Sequence, residues 1–135
     1  MILVDSSVWI DFYSKINSRV SNKLHSMILD DPEQIIIPFI VVTEVLQGIR
    51  NDKFYKEIKE SLLSFTIFNE ENLNIYIKAA DIYRTCRKKG LTIHSTCDNL
   101  IASIALENNL ELFSADKDFE KIAKLFPLKL YKYKF

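Results

Sequence analysis

The stretch ILVDSS, residues 2–7, decides the fold prediction. Its three consecutive apolar residues do not alternate with polar ones, which is typical of a short strand buried on both faces of a parallel sheet. Asp5 follows the run directly and could itself cap the next helix, a role that Ser6 or Ser7 could fill instead. A buried strand that leads through an acid into a helix predicts the first β–α unit of an α/β fold.

Similar apolar runs recur along the chain, separated by segments with helical periodicity. Further strands are predicted at residues 35–37, 65–68 and 110–113, with a half-exposed edge strand at 128–135. Helices are predicted after Ser6 or Ser7, after Ser95 or Thr96, and over residues 18–29, 39–50, 53–63, 72–89 and 116–124. Buried strands that alternate with helices predict an α/β fold with a mainly parallel central sheet.

Two acids lie where predicted strands end. Asp5 ends the first strand, and Asp116 lies just past the strand at 110–113. In parallel sheets, ligands bind in the crevice outside the carboxyl ends of the strands, so both carboxylates are expected to face that crevice. Asp118 follows two residues later, and the spacing leaves open which of the two is a ligand and which is an N-terminal helix acid. Ser114 could orient either of them or a bound water.

Two further acids, Glu44 and Asp98, lie within predicted helices. Glu44 is surrounded by apolar residues, so it is either on an exposed face or buried with a partner. Gly48 lies one turn further on, where it either leaves space beside Glu44 or is a tolerated glycine on a solvated face. The helix dipole alone could account for Asp98 in a first turn. Ser95 and Thr96 already offer caps there, so Asp98 is not needed as one.

Four carboxylates gathered in one place would repel one another unless a cation stood between them. The predicted set is Asp5, Glu44, Asp98 and Asp116. Mg²⁺ and Mn²⁺ prefer oxygen ligands, lower the pKa of bound water and stabilise charge on a scissile phosphate. The hydroxyls of Ser6 and Ser7, beside Asp5, suit an outer shell that orients the ligands. We therefore predict a divalent metal site and phosphodiester hydrolysis by metal-activated water, without a side-chain nucleophile.

Composition predicts one domain in the cytoplasm. The chain has 135 residues, and its 18 basic and 18 acidic residues give no net charge. This argues against a protein that coats nucleic acid through a broad positive field, but it leaves local binding of nucleic acid open. A neutral small protein also tends to associate, so an oligomer or a partner is expected. Asp5 interrupts the N-terminal apolar stretch, which argues against a signal peptide. No run approaches the roughly 20 apolar residues that span a bilayer.

Histidine and cysteine form no recognisable motif. Cys86 and Cys97 lack metal-like spacing and are predicted to be small buried hydrophobes in a reducing cytosol. His25 is placed on a surface helix and His94 in a loop near Asp98. Without a partner motif, both histidines are expected to have ordinary structural or surface roles.

Four stretches, in this order and spacing, resemble PIN-domain ribonucleases, and specifically the VapC-type toxins of bacterial and archaeal toxin–antitoxin pairs. They are VDSSVWID at residues 4–11, TEVLQG at 43–48, DNLIA at 98–102 and LFSADKDF at 112–119. Any one of them would be a weak indication, whereas four in order are fairly specific. Together they span essentially the whole chain.

The resemblance implies a single PIN domain over residues 1–135, folded as a three-layer α/β/α sandwich. It implies that an acidic pocket holds Mg²⁺ or Mn²⁺ and cleaves RNA, with tRNA among the candidate substrates. It implies a homodimer that is silenced by a VapB-type antitoxin whose tail covers the pocket. The implied catalytic and metal-binding acids are Asp5, Glu44, Asp98 and Asp116, with Asp118 as a variable helper and Ser114 where the family usually has Thr or Ser.

Three alternative functions would use the acids differently. A phosphatase that forms an aspartyl-phosphate wants a second Asp two residues after its nucleophile, whereas Asp5 is followed by Ser6 and Ser7. A receiver-type signalling domain should carry its phosphoacceptor at the end of a middle strand. The remaining alternative is a catalytically silent PIN-like interaction module, in which the acids are caps and surface charges. Metal-dependent RNA cleavage distinguishes a nuclease from that module.

Overall fold

Five short strands form one parallel sheet in the computed structural model, which describes residues 1–69 and 72–133. The strands are β1 (Ile2–Val4), β2 (Ile35–Pro38), β3 (Thr66–Phe68), β4 (Glu111–Phe113) and β5 (Lys129–Leu130). Their order across the sheet is β3-β2-β1-β4-β5, and every neighbouring pair is parallel. The predicted α/β fold is confirmed. The predicted edge strand at 128–135 is observed only at Lys129–Leu130, and residues 134 and 135 lie outside the described part.

Helices cover both faces of this sheet. In the described ranges they are α1 (Ser6–Tyr13), α2 (Arg19–Asp30), α3 (Phe39–Gln47), α4 (Asp52–Leu62), α5 (Leu73–Lys88), α6 (Thr96–Glu107) and α7 (Asp118–Ala123). Parallel crossovers are right-handed, and the chain first moves from β1 towards β3 and then back to β4 and β5. This reversal puts α1–α4 on one face and α5–α7 on the other. The result is the expected α/β/α sandwich.

The core forms where the apolar runs predicted it. All of β1 and β2 is buried, and Trp9 on α1 is fully buried against Phe65 and Tyr13. Burying a large apolar side chain contributes about 1.5–3 kcal/mol, so these residues contribute strongly to the stability of the fold. No helix in the described residues is both long and apolar enough to cross a membrane.

Several element boundaries differ from the sequence prediction for local reasons. The N-cap of α1 is Asp5, so of the two readings the one with Ser6 or Ser7 as the cap is wrong. Helix α3 ends at Gln47 with Gly48 as its C-cap, three residues earlier than expected. Helix α7 begins at Asp118, because Asp116 belongs to the turn that follows β4.

Candidate functional site

The order of the strands brings the first and last predicted acids together. Strand β1 lies between β2 and β4, and the Asp5 amide continues the β1–β4 pairing by donating to the Phe113 carbonyl at 2.9 Å. Asp5 therefore leaves the sheet beside Ser114, although the two residues are separated by 109 positions in sequence. This is the crevice at the carboxyl ends of the strands, as the fold predicts.

Asp5 is held by one of its two carboxylate oxygens. The Ser7 hydroxyl donates to Oδ2 at 2.7 Å and the Ser114 hydroxyl donates to it at 2.8 Å, with the Ser7 amide further away at 3.4 Å. The other oxygen, Oδ1, is buried and has no hydrogen-bond partner among the described residues. Burial raises the pKa of Asp5 above its ordinary value, and the bonds from Ser7 and Ser114 offset only part of this rise. A buried oxygen of this kind fits a bound cation.

Glu44 on α3 faces Asp5 from the neighbouring crossover. Its side chain is partly buried, and Oε1 is a second buried oxygen with no hydrogen-bond partner in the described part of the chain. Burial raises the pKa of Glu44, the charge of Asp5 raises it further, and an interaction with the Ser6 hydroxyl lowers it. The reading of Glu44 as a residue on a solvated face therefore does not hold.

Asp98 is a buried acid in the first turn of α6. Ser95 is the N-cap of this helix and accepts a hydrogen bond from the Cys97 amide at 3.1 Å, so Asp98 does not cap it. The pKa of Asp98 is raised to about 8, and burial is the largest cause. The further causes are the charge of Asp116, the charge of Asp5, a side-chain interaction with Asp116 and the charge of Glu44. Carboxylates from three other segments therefore lie close enough to Asp98 to affect its ionisation.

Asp116 and Asp118 bring the chain back to this crevice, and their hydrogen bonds differ. Asp116 Oδ1 accepts from the Asp118 amide at 2.9 Å, and the Asp116 amide donates to Ser114 Oγ at 2.9 Å. Asp118 accepts from Lys121 Nζ at 2.9 Å and from the His94 amide at 3.0 Å. Burial acts to raise the pKa of Asp118, but the His94 amide and Lys121 hold it below its ordinary value.

A group of three carboxylates meets the distance requirement for a cation. One oxygen each of Asp98, Asp116 and Asp118 lies within 4.8 Å of the others. Among the described residues, Asp5 and Glu44 do not belong to this group, although their charges raise the pKa of Asp98. An all-oxygen, strongly anionic site of this kind fits Mg²⁺ or Mn²⁺, which would remove the repulsion that the raised pKa values report.

Sequence reasoning found some of the supporting residues but not all of their contacts. The Ser7 hydroxyl donates to Asp5 and accepts from the Ala115 amide at 3.1 Å, whereas the Ser6 hydroxyl interacts with Glu44. Ser114 orients Asp5, whereas its predicted target was the 116–118 pair or a water. His94 and Lys121 bind Asp118 and belong to no motif. A lysine three residues after an acid in a helix was the one local indication of such a pair.

Cys97 and Cys86 have different surroundings. Cys86 is fully buried, as predicted, whereas Cys97 is only partly buried beside the acids. Burial and the charges of Glu44, Asp98 and Asp5 raise the pKa of the Cys97 thiol, with a smaller opposing effect from Ser95. The thiol therefore stays neutral at pH 7 and adds no charge to the crevice.

The chain is similar to known proteins over almost its whole length. The PIN domain family model matches residues 2–125. VapC ribonuclease Mb1587 of Mycobacterium bovis and Ribonuclease VapC11 of Mycobacterium tuberculosis are each 26% identical to the chain over 125 residues, which cover 93% of both partners in each comparison.

Solved structures show the same fold. The chain resembles VapBC2 from Rickettsia felis bound to a DNA fragment from their promoter, with a TM-score of 0.76 and 20% identity over 99% of this chain and 100% of that one. It also resembles Mycobacterium tuberculosis VapC20, described as a sarcin-ricin loop cleaving toxin, with a TM-score of 0.70 and 16% identity over 93% and 96% of the two chains.

Proposed function

The chain belongs to the PIN domain family, and on that premise we propose that it is a metal-dependent endoribonuclease toxin. It hydrolyses RNA phosphodiester bonds and is neutralised by a VapB-type antitoxin. The observation that carries the proposal is the convergence of four carboxylates from distant segments, two of which keep a buried oxygen without a partner in the described residues. Similarity to curated VapC ribonucleases along nearly their whole length supports the same activity.

The proposed catalytic and metal-binding residues are Asp5, Glu44, Asp98 and Asp116. Bound Mg²⁺ or Mn²⁺ would lower the pKa of a water and neutralise charge on the scissile phosphate. Asp5 keeps Oδ1 available because Ser7 and Ser114 occupy Oδ2. The bonds from these hydroxyls also fix the orientation of the carboxylate before RNA binds, which lowers the cost of assembling the site.

An apolar groove supports the proposed protein inhibitor. It lies between α1, α3 and α4, has a volume of about 890 Å³, and is lined by apolar side chains that include Ile10, Val45 and Phe54. Gly48 also lines it and lies one helical turn from Glu44 along the chain. We propose that an apolar segment of the antitoxin occupies this groove and that its continuation covers the acids.

A homodimer and a cytoplasmic site of action complete the proposal. The zero net charge of the chain favours self-association. RNA as the substrate, with tRNA as one candidate, places the activity in the cytoplasm. Light scattering of the purified chain tests the dimer, and sequencing the ends of cleaved cellular RNA identifies the substrate.

The decisive experiment compares RNA cleavage by the wild type and by Asp5→Asn, Glu44→Gln, Asp98→Asn and Asp116→Asn. We expect cleavage that needs Mg²⁺ or Mn²⁺, stops with EDTA and is lost in each variant, while circular dichroism shows an intact fold. Expression of the wild type alone should arrest growth, and the same variants should relieve the arrest. A folded wild type without metal-dependent cleavage or metal-induced stabilisation would instead favour the catalytically silent interaction module.

A further inference from the structure

Asp116 and Asp118 both approach Asp98, yet other groups engage their carboxylates to different degrees. The Asp116 carboxylate accepts a hydrogen bond from the Asp118 amide on Oδ1, and its side chain also interacts with that of Asp98. The Asp118 carboxylate is engaged at both oxygens. Lys121 Nζ donates to Oδ1 at 2.9 Å, and the His94 amide donates to Oδ2 at 3.0 Å.

The donors to Asp118 link two separate parts of the site. His94 lies in the loop between α5 and α6, and Lys121 lies on α7 together with Asp118. Lys121 Nζ also donates to the Thr92 carbonyl at 3.1 Å, so a second bond joins α7 to the same loop. The Asp118 side chain is only 9% exposed, and water therefore competes little for these bonds.

The loop held by Asp118 leads directly into the helix that carries Asp98. Ser95, the N-cap of α6, follows His94 immediately, and Asp98 lies in the first turn. Asp116 lies in the turn just before α7. The distance between the Asp98 and Asp116 carboxylates therefore depends on how the start of α6 is held against the start of α7.

We propose that Asp118 is a positioning residue and not a metal ligand: it ties the 92–94 loop to α7 and so sets the separation of Asp98 and Asp116. This inference rests on the proposed function, because the separation matters through the cation that the two acids share. A cation at Asp118 would compete with the Lys121 ammonium and the His94 amide, which already engage both carboxylate oxygens. The ammonium itself would also repel a divalent cation at the Asp118 oxygen.

Lys121 provides the variant that separates the two roles, since an ammonium group does not coordinate a divalent cation. Lys121→Gln removes a partner of Asp118 and leaves every carboxylate in place. Asp118→Asn keeps an oxygen that can accept from the His94 amide but removes the charge that faces Lys121. Lys124→Gln is the matched control, because Lys124 is an exposed lysine at the end of the same helix.

The experiment measures Mn²⁺ binding to the purified full chain by calorimetry, and RNA cleavage under the same conditions. We expect Asp118→Asn and Lys121→Gln to bind Mn²⁺ within about threefold of the wild type, whereas Asp116→Asn weakens binding by more than about tenfold. Both positioning variants should lower kcat by a similar factor with little change in KM. The double variant should be no worse than either single one, because both remove the same link.

Hydrogen exchange supplies a readout that does not need activity. Exchange of the amides in the 92–98 segment should accelerate in Asp118→Asn and Lys121→Gln but not in Lys124→Gln. Weak Mn²⁺ binding in Asp118→Asn together with normal binding in Lys121→Gln would overturn the inference and make Asp118 a ligand. A wild type that binds Mn²⁺ but cleaves no RNA would refute the proposed function, and the Mn²⁺ comparison would still decide the role of Asp118. A wild type that binds no Mn²⁺ would refute both.

Discussion

Replacing Asp98 by Asn should stabilise the metal-free protein, and the gain should depend on pH. Burial and the neighbouring carboxylates raise the pKa of Asp98 from 3.8 to about 8. Below about pH 4 the residue is protonated in both the folded and the unfolded chain, so it contributes nothing to the difference. Between pH 4 and 8 the unfolded chain loses this proton while the folded chain retains it, and the free energy of unfolding therefore falls as pH rises. An asparagine cannot ionise and avoids this loss.

The size of the effect follows from the shift. Each pKa unit corresponds to about 1.4 kcal/mol, so a shift of about four units sets an upper limit of about 6 kcal/mol at pH 8. Protonation of a neighbouring carboxylate or entry of water relieves part of the repulsion, and we expect a gain of about 2 kcal/mol. For a chain of this length, that corresponds to an increase in Tm of about 7 °C.

Thermal unfolding in EDTA, followed by circular dichroism between pH 4.5 and pH 9, measures this gain. Asp98→Asn should match the wild type at the acid end, exceed it progressively towards pH 8 and keep a constant advantage above that. Asp81→Asn, on the exposed face of α5, is the control and should show no such trend. Saturating Mn²⁺ should reverse the order, because only the wild type retains all its ligands. An advantage that does not change with pH would refute the proposed convergence of charges.

Three further perturbations address the site and the groove. Asp5→Asn and Glu44→Gln should each lower kcat by at least about 100-fold by removing a cation ligand, and single-turnover cleavage assays would contradict this if either retained full activity. Ser114→Ala removes one of two hydroxyls from Asp5 Oδ2 and should lower kcat by about tenfold, which corresponds to about 1.4 kcal/mol and so to the lower end of the range for a hydrogen bond to a charged group. An unchanged kcat would mean that Ser7 alone orients Asp5. Gly48→Leu should retain RNA cleavage but lose antitoxin binding in a pull-down, whereas Gly48→Ala should keep both, since a Cβ there would approach only backbone oxygens at 3.8 and 4.0 Å. If Gly48→Leu bound the antitoxin normally, the groove would not be the antitoxin-binding site.

The fold could be predicted because its main determinants are local. The apolar runs at residues 2–4 and 35–37 cannot be solvated, so they must lie inside a sheet that is covered on both faces. Their separation by helical segments requires parallel crossovers, and the structure confirms a parallel sheet between two helical layers. The family resemblance, carried by four short stretches, is confirmed by the match over residues 2–125.

The ends of helices and strands were predicted less accurately, because several neighbouring residues are suited to begin or end the same element. Ser6 and Ser7 were as good N-caps by type as Asp5, and only the backbone path out of β1 selects Asp5. The edge strand was overestimated because alternating residues indicate a strand but do not say how far a neighbour extends beside it. Strand β4 ends at Phe113, so β5 has little to pair with.

By itself, the sequence determined which segments become strands and helices and where acids occur relative to them, since these depend on neighbours along the chain. Only the tertiary structure decided which oxygen of each acid remains available. Ser7 and Ser114, 107 residues apart, meet at Asp5, and His94 and Lys121 occupy Asp118. Hydrogen bonds of this kind depend on ångström-scale distances between packed elements, and no local pattern encodes those distances.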